Sequence, residues 1–526
     1  MQIARIGHGA AEQYSADMVG GKAANLARMA ALGLPVPPAF VLPISLCTAT
    51  LNGEAEALRN LVDGLSEGIE FLENATGRRF GDRRHPLLVS VRSGAARSMP
   101  GMLDTVLNVG CTATAVRGLV RMTGHPRFAH DCRRRFLESY GTVVLDIDPS
   151  NFTRKRDALV AAEGAGAERL LDTEALERLA ASYEQVIEDE DHVLSNDPAE
   201  QLKSAAQAVF GSWMSERART YRKLEHLDYL QGTAVTVQAM VFGNAGASSG
   251  AGVAFSRDPS TGANKPVVDV LFESQGEDVV SGGHNPETEE AIARSLPEVA
   301  AQLREALQRL EQDFADVQDV EFTIENGKLW LLQTRAAKRT PQAALRLAID
   351  FVRESRITHA EALQRLDGVD LGALVDQRLV VAEAPALHGI CASSGIAVGR
   401  ASFDSQSAVR QAAGGEPVIL VRPDTTTADV GGFAAAAGIV TAVGGRTAHA
   451  ALVARQMGKP CIVGCAGLSI DAGGHCAQLG SAAIKEGDWL SIDGETGAIY
   501  PGRCDVVTER PEAELAEVES WRRAAA

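Results

Sequence analysis

His449 lies in a segment whose residue types suit a histidine that carries phosphate. In GGRTAHAALVARQMG, residues 444–458, two glycines precede Arg446, Thr447 and His449, and an apolar helical stretch follows. The pattern predicts a histidine at or just inside a helix N-terminus, where free N–H groups and the helix dipole favour a bound or covalent phosphate. We expect Thr447 to cap this helix and Arg446 to pair with phosphate oxygens. The alternative is a histidine that is satisfied within a tight turn.

Two cations near the start of the chain could bind the phosphates of a nucleotide. Phosphoryl transfer from ATP needs cations around the triphosphate, carboxylates for Mg²⁺ and backbone that can approach closely. Lys22 directly follows Gly20 and Gly21, and Arg92 opens a loop rich in Gly, Ser and Pro. Both placements are typical of phosphate contacts. The alternatives are a solvated lysine and an ordinary surface loop.

A hairpin at residues 319–335 carries a second set of candidate groups. Asp319 and Glu321 are two residues apart, so on a strand both carboxylates project from one face. Gln333 and Arg335 repeat that spacing on the partner strand. If the two pairs share a face, two acids, an amide and a guanidinium surround a metal-bound nucleotide. The alternative is a surface hairpin with scattered charges.

The turn of this hairpin decides which residues face one another. A two-residue Asn-Gly turn would place Glu321 opposite Leu332 and leave Gln333 on the other face. A three-residue loop at 325–327 with a glycine bulge would place Asp319 opposite Gln333. We predict the bulged turn.

The elements that position these residues follow from hydrophobic periodicity and turn signals. The sequence predicts a glycine turn, an amphipathic helix and a strand at residues 20–40, and a charged helical stretch at 112–230. Residues 386–502 form a glycine- and alanine-rich α/β unit that contains His449. The further predictions are strands at 233–244, 250–262 and 266–274, a helix near 287–315, a helical linker at 340–385 and a short helix at 511–526.

Composition limits the class of protein. A chain of 526 residues should hold three or four domains. The net charge of −17 argues against nucleic acid or an anionic membrane as the main partner. The longest apolar run, residues 433–443, is too short to span a bilayer, and no secretory signal is visible. The eight cysteines show no metal spacing, and we expect Cys461 and Cys465 to be buried or free thiols. We therefore expect a reduced, cytoplasmic protein.

Several long segments carry a family resemblance. They are GGKAANLARMAALGLPVPPAF, VSVRSGAARSMPGMLDTVLNVG, RRRFLESYG, TAVTVQAMVFGN, GVAFSRDPSTG, SQGEDVVSG, DVQDVEFTIENGKLWLLQTR and GGRTAHAALVARQMGKPCIVGC. Over nearly its whole length the chain resembles the N-terminal and central parts of the pyruvate, phosphate dikinase family. The segments SMPGMLDTVLNVG and QAMVFGN look more like the phosphate-using dikinase than its water-using relative, phosphoenolpyruvate synthase.

The resemblance implies a reaction and a set of roles. In that family an ATP-grasp domain passes the β-phosphoryl of ATP to a histidine on a mobile domain, the γ-phosphoryl goes to inorganic phosphate, and the histidine then phosphorylates pyruvate at a C-terminal barrel. His449 would be the carrier, and Thr447 matches a position of regulatory phosphorylation in some members. The residues implied at ATP and Mg²⁺ are Lys22, Arg92, Asp319, Glu321, Gln333 and Arg335, with Glu321 and Gln333 on the metal. On resemblance alone, Met240 and Val241 would lie beside the adenine and Arg135 near the transferred phosphates.

Three features depart from the family pattern. Ser394 stands where the family usually has proline, and Arg446 stands where it typically has methionine, which adds a cation beside His449. Fewer than thirty residues follow Arg503, whereas a barrel needs roughly 250 residues. We therefore expect the phosphoryl group to pass to a separate acceptor, either a barrel subunit that makes phosphoenolpyruvate or a different molecule.

The predicted fold is an α+β and α/β multidomain chain, an ATP-grasp-like unit with a helical insertion plus a swivelling α/β phosphohistidine domain. Nucleotide site and His449 should separate by rigid-body motion in some conformers. The predicted ranges are 1–111 and 231–340 for the two ATP-grasp parts, 112–230 for the insertion and return helices, 341–385 for the linker, 386–505 for the swivel domain and 506–526 for the tail.

The predicted function is a dikinase-type phosphotransferase that uses ATP, Mg²⁺ and inorganic phosphate. We expect a separate acceptor, no nucleic acid and no membrane, and the sequence is compatible with a homodimer. One alternative is a nucleotide-binding regulatory partner without complete catalysis. Another is an antibiotic-type phosphotransferase of the same superfamily, but residues 340–385 are too short for the acceptor-binding domain that it would need.

Overall fold

The computed structural model describes residues 3–9, 12–97, 99, 101–280, 284–425, 429–446, 448–471 and 476–525. The chain divides into two compact units. The first is Met1–Ala247 with Trp330–Thr334, and the second is Ser248–Leu329 with Arg335–Ala526. These units are coarser than the six predicted ranges, which stay predictions.

The first unit is built on an antiparallel sheet with strand order β1-β2-β7-β5-β6. Its strands are β1 Ala4–Ile6, β2 Ala39–Leu42, β5 Val89–Gly94, β6 Thr105–Val109 and β7 Ala234–Ala239, and a small ribbon joins β3 Arg79–Phe80 to β4 Pro86–Leu87. Most residues of β2, β5 and β7 are buried, because helices and loops cover the sheet. The strand predicted within residues 20–40 and the strand predicted at 233–244 are confirmed as β2 and β7.

Helices surround this sheet and fill the stretch between β6 and β7. They are α1 Ala16–Val19, α2 Gly21–Ala31, α3 Ser45–Leu51, α4 Ala55–Thr76, α5 Ala113–Thr123, α6 Pro126–Val143, α7 Pro149–Glu163, α8 Thr173–Asp189, α9 Pro198–Gly211 and α10 Glu216–Leu224. The helical pattern predicted for residues 112–230 is therefore confirmed. Helix α9 begins as its sequence predicts, since the Asp197 side chain accepts a bond from the Ala199 N–H at 2.9 Å.

The second unit opens with a four-stranded sheet in the order β11-β10-β8-β9. The strands are β8 Gly250–Phe255, β9 Val267–Phe272, β10 Gln318–Glu325 and β11 Lys328–Ala336, and the helices that follow β9 are α11 Gly276–Val280, α12 Glu289–Ser295 and α13 Pro297–Phe314. The single helix predicted near 287–315 is thus two helices. Pro297 causes the break, because it lacks the N–H of a helix interior and suits the first position of α13.

The predicted linker and the predicted tail fold onto each other. The linker contains α14 Pro341–Arg353, α15 His359–Arg365 and strand β12 Asp376–Val380, and β12 pairs antiparallel with β24 Asp505–Glu509. The final helix, α19 Glu512–Ala525, buries Val518 and Trp521 in the core shared with α14 and α15. Helices in the linker and a helix in the tail are confirmed, whereas the β12–β24 pairing was not predicted.

The remaining domain of the second unit is an α/β sheet with the strand order β13-β23-β22-β15-β16-β17-β18-β14. Strands β15 to β18 run parallel along the sheet and the outer pairs run antiparallel. The strands of this sheet are β13 Leu387–His388, β14 Ile390–Ser393, β15 Ile396–Ser402, β16 Val418–Arg422, β17 Gly438–Thr441, β18 Cys461–Val463, β22 Trp489–Asp493 and β23 Ala498–Pro501. Its helices are α16 Ser405–Ala413, α17 Val430–Ala435 and α18 His449–Gln456, and a smaller sheet contains β19 Leu468–Ile470, β20 Cys476–Leu479 and β21 Ala482–Lys485.

The chain is therefore a mixed α/β multidomain protein. Among the helices of the described ranges, none combines the length and apolarity that a membrane crossing requires. Cys461 and Cys465 are buried free thiols, as predicted, and burial raises the pKa of both. Thiols of this kind are poor nucleophiles, so neither is a candidate for the chemistry of the chain.

Candidate functional site

Lys22 is positioned by a close contact between the start of helix α2 and the end of strand β5. Gly20 has a φ of 81°, and a Cβ added there would lie 2.1 Å from the Gly94 carbonyl oxygen. The Gly21 N–H donates to the Ala95 carbonyl at 2.9 Å. Only glycine fits at position 20, because it combines a left-handed φ with this approach. Exposed Lys22 therefore emerges from the first turn of α2 beside the loop that follows Arg92.

One cleft of the first unit contains three residues that the sequence analysis selected. Lys22, Arg92 and Gln333 all line it. The other lining residues are Ala23, Leu26, Ser93, Thr236, Gln238 and Leu332. The cleft thus combines an ammonium, a guanidinium and amide groups over an apolar floor, which suits a polyanion attached to a flat or apolar group.

Strand pairing accounts for part of this arrangement. Arg92 on β5 lies opposite Thr236 on β7, and Gln238 follows Thr236 on the same face. Gln333 belongs to the segment 330–334, which hydrogen bonds attach to this unit. Leu331 N–H donates to Pro35 O at 2.8 Å, and Asn25 Nδ2 donates to Thr334 O at 2.9 Å.

Met240 and Val241 immediately follow strand β7 and are partly buried. The Met240 N–H donates to the Leu88 carbonyl at 2.9 Å, which extends the pairing of β7 with the segment before β5. Neither residue is among those that line the cleft. Their expected place beside an adenine stays a prediction.

Arg135 belongs to a buried ionic cluster on helix α6. Its Nε lies 3.1 Å from Asp131 Oδ2, and Arg134 Nη2 lies 2.7 Å from Asp131 Oδ1. Burial alone would raise the pKa of Asp131, but the charges of Arg135 and Arg134 hold that pKa well below its usual range. Arg135 does not line the cleft, so its role at phosphate stays a prediction.

Strand β10 carries the two acids of the second unit. Asp319 lies opposite Phe255 and Glu321 lies opposite Val253 on β8, so both carboxylates share one face of the sheet. Arg335 Nε lies 2.8 Å from Asp319 Oδ2. Burial raises the pKa of Asp319 and Glu321 adds to this, although Arg335 and Arg455 act in the opposite direction. Asp319 and Arg335 therefore form an ion pair on this sheet.

The predicted bulged turn is wrong. Strand β10 ends at Glu325 and β11 begins at Lys328, so only Asn326 and Gly327 form the loop. Their φ angles are 50° and 75°, and two positive values define the two-residue type I′ turn. Asparagine tolerates the left-handed region at low cost, so no extra residue is needed to match the twist of the strands. The prediction that Asp319 lies opposite Gln333 depended on the bulge and is no longer supported.

The carboxylates of β10 fit a hard divalent cation. Asp319 Oδ1 is buried and has no hydrogen-bond partner within the described residues, and Glu321 lies two residues along the same face. Within those residues no three His, Cys, Asp or Glu side chains come together as a metal site. Mg²⁺ usually takes only one or two carboxylates together with substrate phosphates, so this donor set suits it. Gln333 as a metal ligand stays a prediction.

His449 is the first residue of helix α18, as its sequence predicts. The N-cap is Ala448, which supplies no side-chain bond to the free N–H groups of the first turn. Among the residues that the structure describes, no side chain caps this end, so these N–H groups could donate to an anion there. The predicted cap Thr447 lies outside the described residues, as does the side chain of His449.

Within the second unit, the segment before α18 contacts the sheet that carries the acids. Arg446 Nη1 lies 3.6 Å from Asp269 Oδ1 on β9, and the Gly444 N–H donates to Asn285 Oδ1 at 3.1 Å. A Cβ at Gly445 would lie 2.4 Å from Pro286 Cγ and 2.5 Å from Asp269 Oδ2, so a larger residue would have to displace these side chains. Arg446 is thus paired with a carboxylate, and its expected contact with phosphate stays a prediction.

Several residues of these sites escaped the sequence analysis. Arg455 of α18 is buried, its guanidinium lies 5.2 Å from the centre of the Phe255 ring, and its Nη1 has no hydrogen-bond partner in the described part of the chain. Nothing in the local sequence distinguishes it from an exposed helix arginine. Thr236 and Gln238 gave a usable signal, since two polar residues at strand spacing in an apolar run predict a polar face.

The fold and the sites define a multidomain α/β chain that combines a cation-lined cleft with a histidine at a helix N-terminus. Two family models match it. The pyruvate phosphate dikinase AMP/ATP-binding domain matches residues 54–297 and 289–355, and the mobile domain of PEP-utilising enzymes matches residues 414–497. The chain belongs to the pyruvate phosphate dikinase family.

Two similar proteins support this assignment to the family. The chain is 41% identical over 499 residues to pyruvate, phosphate dikinase of Clostridium symbiosum, covering 94% of the chain and 57% of that protein. It is 42% identical over 491 residues to the chloroplastic enzyme of Flaveria trinervia, covering 92% and 51%. The chain therefore spans little more than half the length of these relatives.

Proposed function

We propose that the chain catalyses the nucleotide half-reaction of a dikinase. ATP, inorganic phosphate and His449 are converted to AMP, pyrophosphate and phospho-His449. The γ-phosphoryl group is transferred to inorganic phosphate, and the β-phosphoryl group is transferred to the imidazole. The observation that carries the proposal is the cleft lined by Lys22, Arg92 and Gln333, in a chain whose family is described by its AMP/ATP-binding domain.

The proposed architecture is an ATP-grasp-like unit over residues 1–340 and a swivelling phosphohistidine domain. Within the first unit, Lys22 and Arg92 bind the phosphates and stabilise the negative charge that develops during transfer. Met240 and Val241 contact the adenine, and Arg135 lies toward the transferred phosphates. The mixed polar and apolar lining of the cleft supports this division.

The second unit supplies carboxylates and the acceptor. Glu321 and Asp319 hold Mg²⁺, which when bound neutralises charge on the phosphates. Arg335 keeps Asp319 in place through their ion pair of 2.8 Å. The free N–H groups at the start of α18 stabilise the phosphate on His449, which supports a carrier role for that residue.

The phosphoryl group then passes to an acceptor outside the residues described above. Pyruvate is the acceptor that the relatives' names suggest, because they are called pyruvate, phosphate dikinase. We propose that a barrel domain is the site that converts pyruvate to phosphoenolpyruvate.

The proposal is tested by a single-turnover experiment in the presence of Mg²⁺, with the enzyme in excess over ATP. We expect one AMP and one pyrophosphate per ATP when inorganic phosphate is present, and neither when it is omitted. Release of AMP and two phosphates without added phosphate would instead assign water as the γ-acceptor. Unchanged ATP under both conditions would contradict the half-reaction and favour a nucleotide-binding regulatory partner.

A further inference from the structure

Asp131 is the centre of a buried polar cluster on helix α6. Its Oδ1 accepts a bond from Arg134 Nη2 at 2.7 Å, and its Oδ2 accepts bonds from Arg135 Nε at 3.1 Å and Asn244 Nδ2 at 2.6 Å. Asp131 and Asn244 are each 6% exposed. A buried carboxylate is tolerated only when charges and hydrogen bonds satisfy it, and here three donors do so. Asp131 thus joins arginines of its own helix to a residue of a distant segment.

That distant segment is the one that follows strand β7. Asn244 lies a few residues after Met240 and Val241, and Phe242 between them packs on the same helix. The Phe242 and Phe128 rings meet edge to face with their centroids 4.9 Å apart. Helix α6 therefore fixes the segment 240–244 at two points, one apolar and one polar.

We propose that Asp131 is a positioning residue for the nucleotide, because it sets the direction of Arg135 and, through Asn244, the place of the segment that contains Met240 and Val241. This inference rests on the proposed function, in which Arg135 approaches the phosphates and Met240 approaches the adenine. One carboxylate then couples the two ends of the nucleotide site. Residues that hold contacting groups in place in this way commonly affect binding or rate as much as some contacting groups do.

Glu168 offers a matched control. Its Oε1 lies 2.5 Å from Arg134 Nη2, the same nitrogen that contacts Asp131. Glu168 is partly buried and shows no bond to Arg135 or Asn244 in the described contacts. Glu168→Gln therefore removes a carboxylate from the same cluster without breaking the two bonds that the proposal requires.

The experiment compares Asp131→Asn, Glu168→Gln and Asn244→Ala with the unchanged protein. It measures the rate of phosphoenzyme formation against ATP concentration with Mg²⁺, ATP binding by equilibrium dialysis, and the melting temperature. A lost hydrogen bond to a charged group corresponds to about a tenfold to hundredfold effect. We expect Asp131→Asn to lower the maximal rate and weaken ATP binding in this range. Asn244→Ala should weaken ATP binding with little change in the maximal rate, and Glu168→Gln should change neither.

The outcomes separate the two proposals. If the unchanged protein forms phosphoenzyme and the three variants match one another in rate and ATP binding, the positioning role is overturned and the function stands. If the unchanged protein binds ATP but forms no phosphoenzyme, the function fails, and the binding constants alone decide the role of Asp131. If Asp131→Asn does not fold, Asn244→Ala decides, and unchanged ATP binding in that variant would refute the coupling.

Discussion

Lys22 and Arg92 line one cleft because a glycine contact brings their segments side by side. The approach of Gly20 to Gly94 fixes the start of helix α2 against the end of strand β5, and both side chains reach one cleft. An ammonium and a guanidinium at one cleft are the groups that a polyphosphate would contact, so this position is the one that the proposed function requires.

The contribution of Lys22 is tested by Lys22→Ala. Because removal of one preorganised donor at a site of developing charge costs about a hundredfold or more in rate, phosphoenzyme formation should fall at least that far. Lys203→Ala is the control, since among the described residues Lys203 forms a surface pair with Glu200. A Lys22→Ala variant with an unchanged rate would exclude the lysine from the site.

The carboxylate of Asp131 gives a prediction for the effect of pH on stability. Its pKa is held below the ordinary value of about 3.9, so its contribution to stability is complete above that pH and is lost only as pH falls below it. The unfolding free energies of the unchanged protein and Asp131→Asn should therefore differ by a constant amount between about pH 5 and pH 8. That difference should be about 3 kcal/mol, as for a broken buried pair.

Glu168 should behave in the opposite way. Burial raises its pKa above the ordinary value, so the folded protein loses stability as pH rises through the folded-state pKa. The stability of Glu168→Gln relative to the unchanged protein should therefore increase with pH, as denaturant unfolding at several pH values would measure.

For Asp131→Asn, a stability difference from the unchanged protein that shrank between pH 8 and pH 5 would contradict the lowered pKa of Asp131.

Two glycines, one at each end of helix α2, have different surroundings. Gly20 and Gly33 flank the same helix, and both have left-handed φ angles of 81° and 72°. They differ in space, because a Cβ at Gly20 meets the Gly94 carbonyl whereas a Cβ at Gly33 meets nothing within 4 Å. Gly20 also has a ψ of 153°, a backbone region that essentially only glycine adopts, so an alanine at Gly20 would meet both strain and the steric clash.

Gly20→Ala and Gly33→Ala test how much the contact between the start of helix α2 and strand β5 contributes to stability and ATP binding. Gly33→Ala should cost about 1 kcal/mol of unfolding free energy from strain alone, with no change in ATP binding. Gly20→Ala should cost about 3 kcal/mol or more and weaken ATP binding, because the helix start must move away from β5. Equal stability losses for the two variants in denaturant titrations would show that the Gly20–Gly94 contact is unimportant.

Elements with a local signal were predictable and those set by distant partners were not. Glycines, polar residues and an apolar run predict a helix start at His449, and α18 begins there. The turn at Asn326 was missed because the sequence permits two turns and the choice depends on backbone twist. The pairing of β12 with β24 was missed because no local periodicity specifies a partner so far along the chain. The place of Arg455 depends in the same way on packing against Phe255.

At the level of the whole molecule, the cleft residues and His449 belong to different compact units. Binding and acceptance of the phosphoryl group should therefore be separable by mutation. His449→Ala should bind ATP as tightly as the unchanged protein does in equilibrium dialysis and form no phosphoenzyme. Loss of ATP binding in His449→Ala, with the melting temperature unchanged, would contradict a division of the two tasks between the units.

Transfer of the β-phosphoryl group of ATP to His449 can be followed directly with labelled nucleotide. The protein and its His449→Ala variant would be incubated with Mg²⁺, inorganic phosphate and ATP labelled at either the β or the γ position. We expect an acid-labile, base-stable label from β-labelled ATP alone, present in the unchanged protein and missing in the variant. A label from γ-labelled ATP, or a label that persists in His449→Ala, would contradict it.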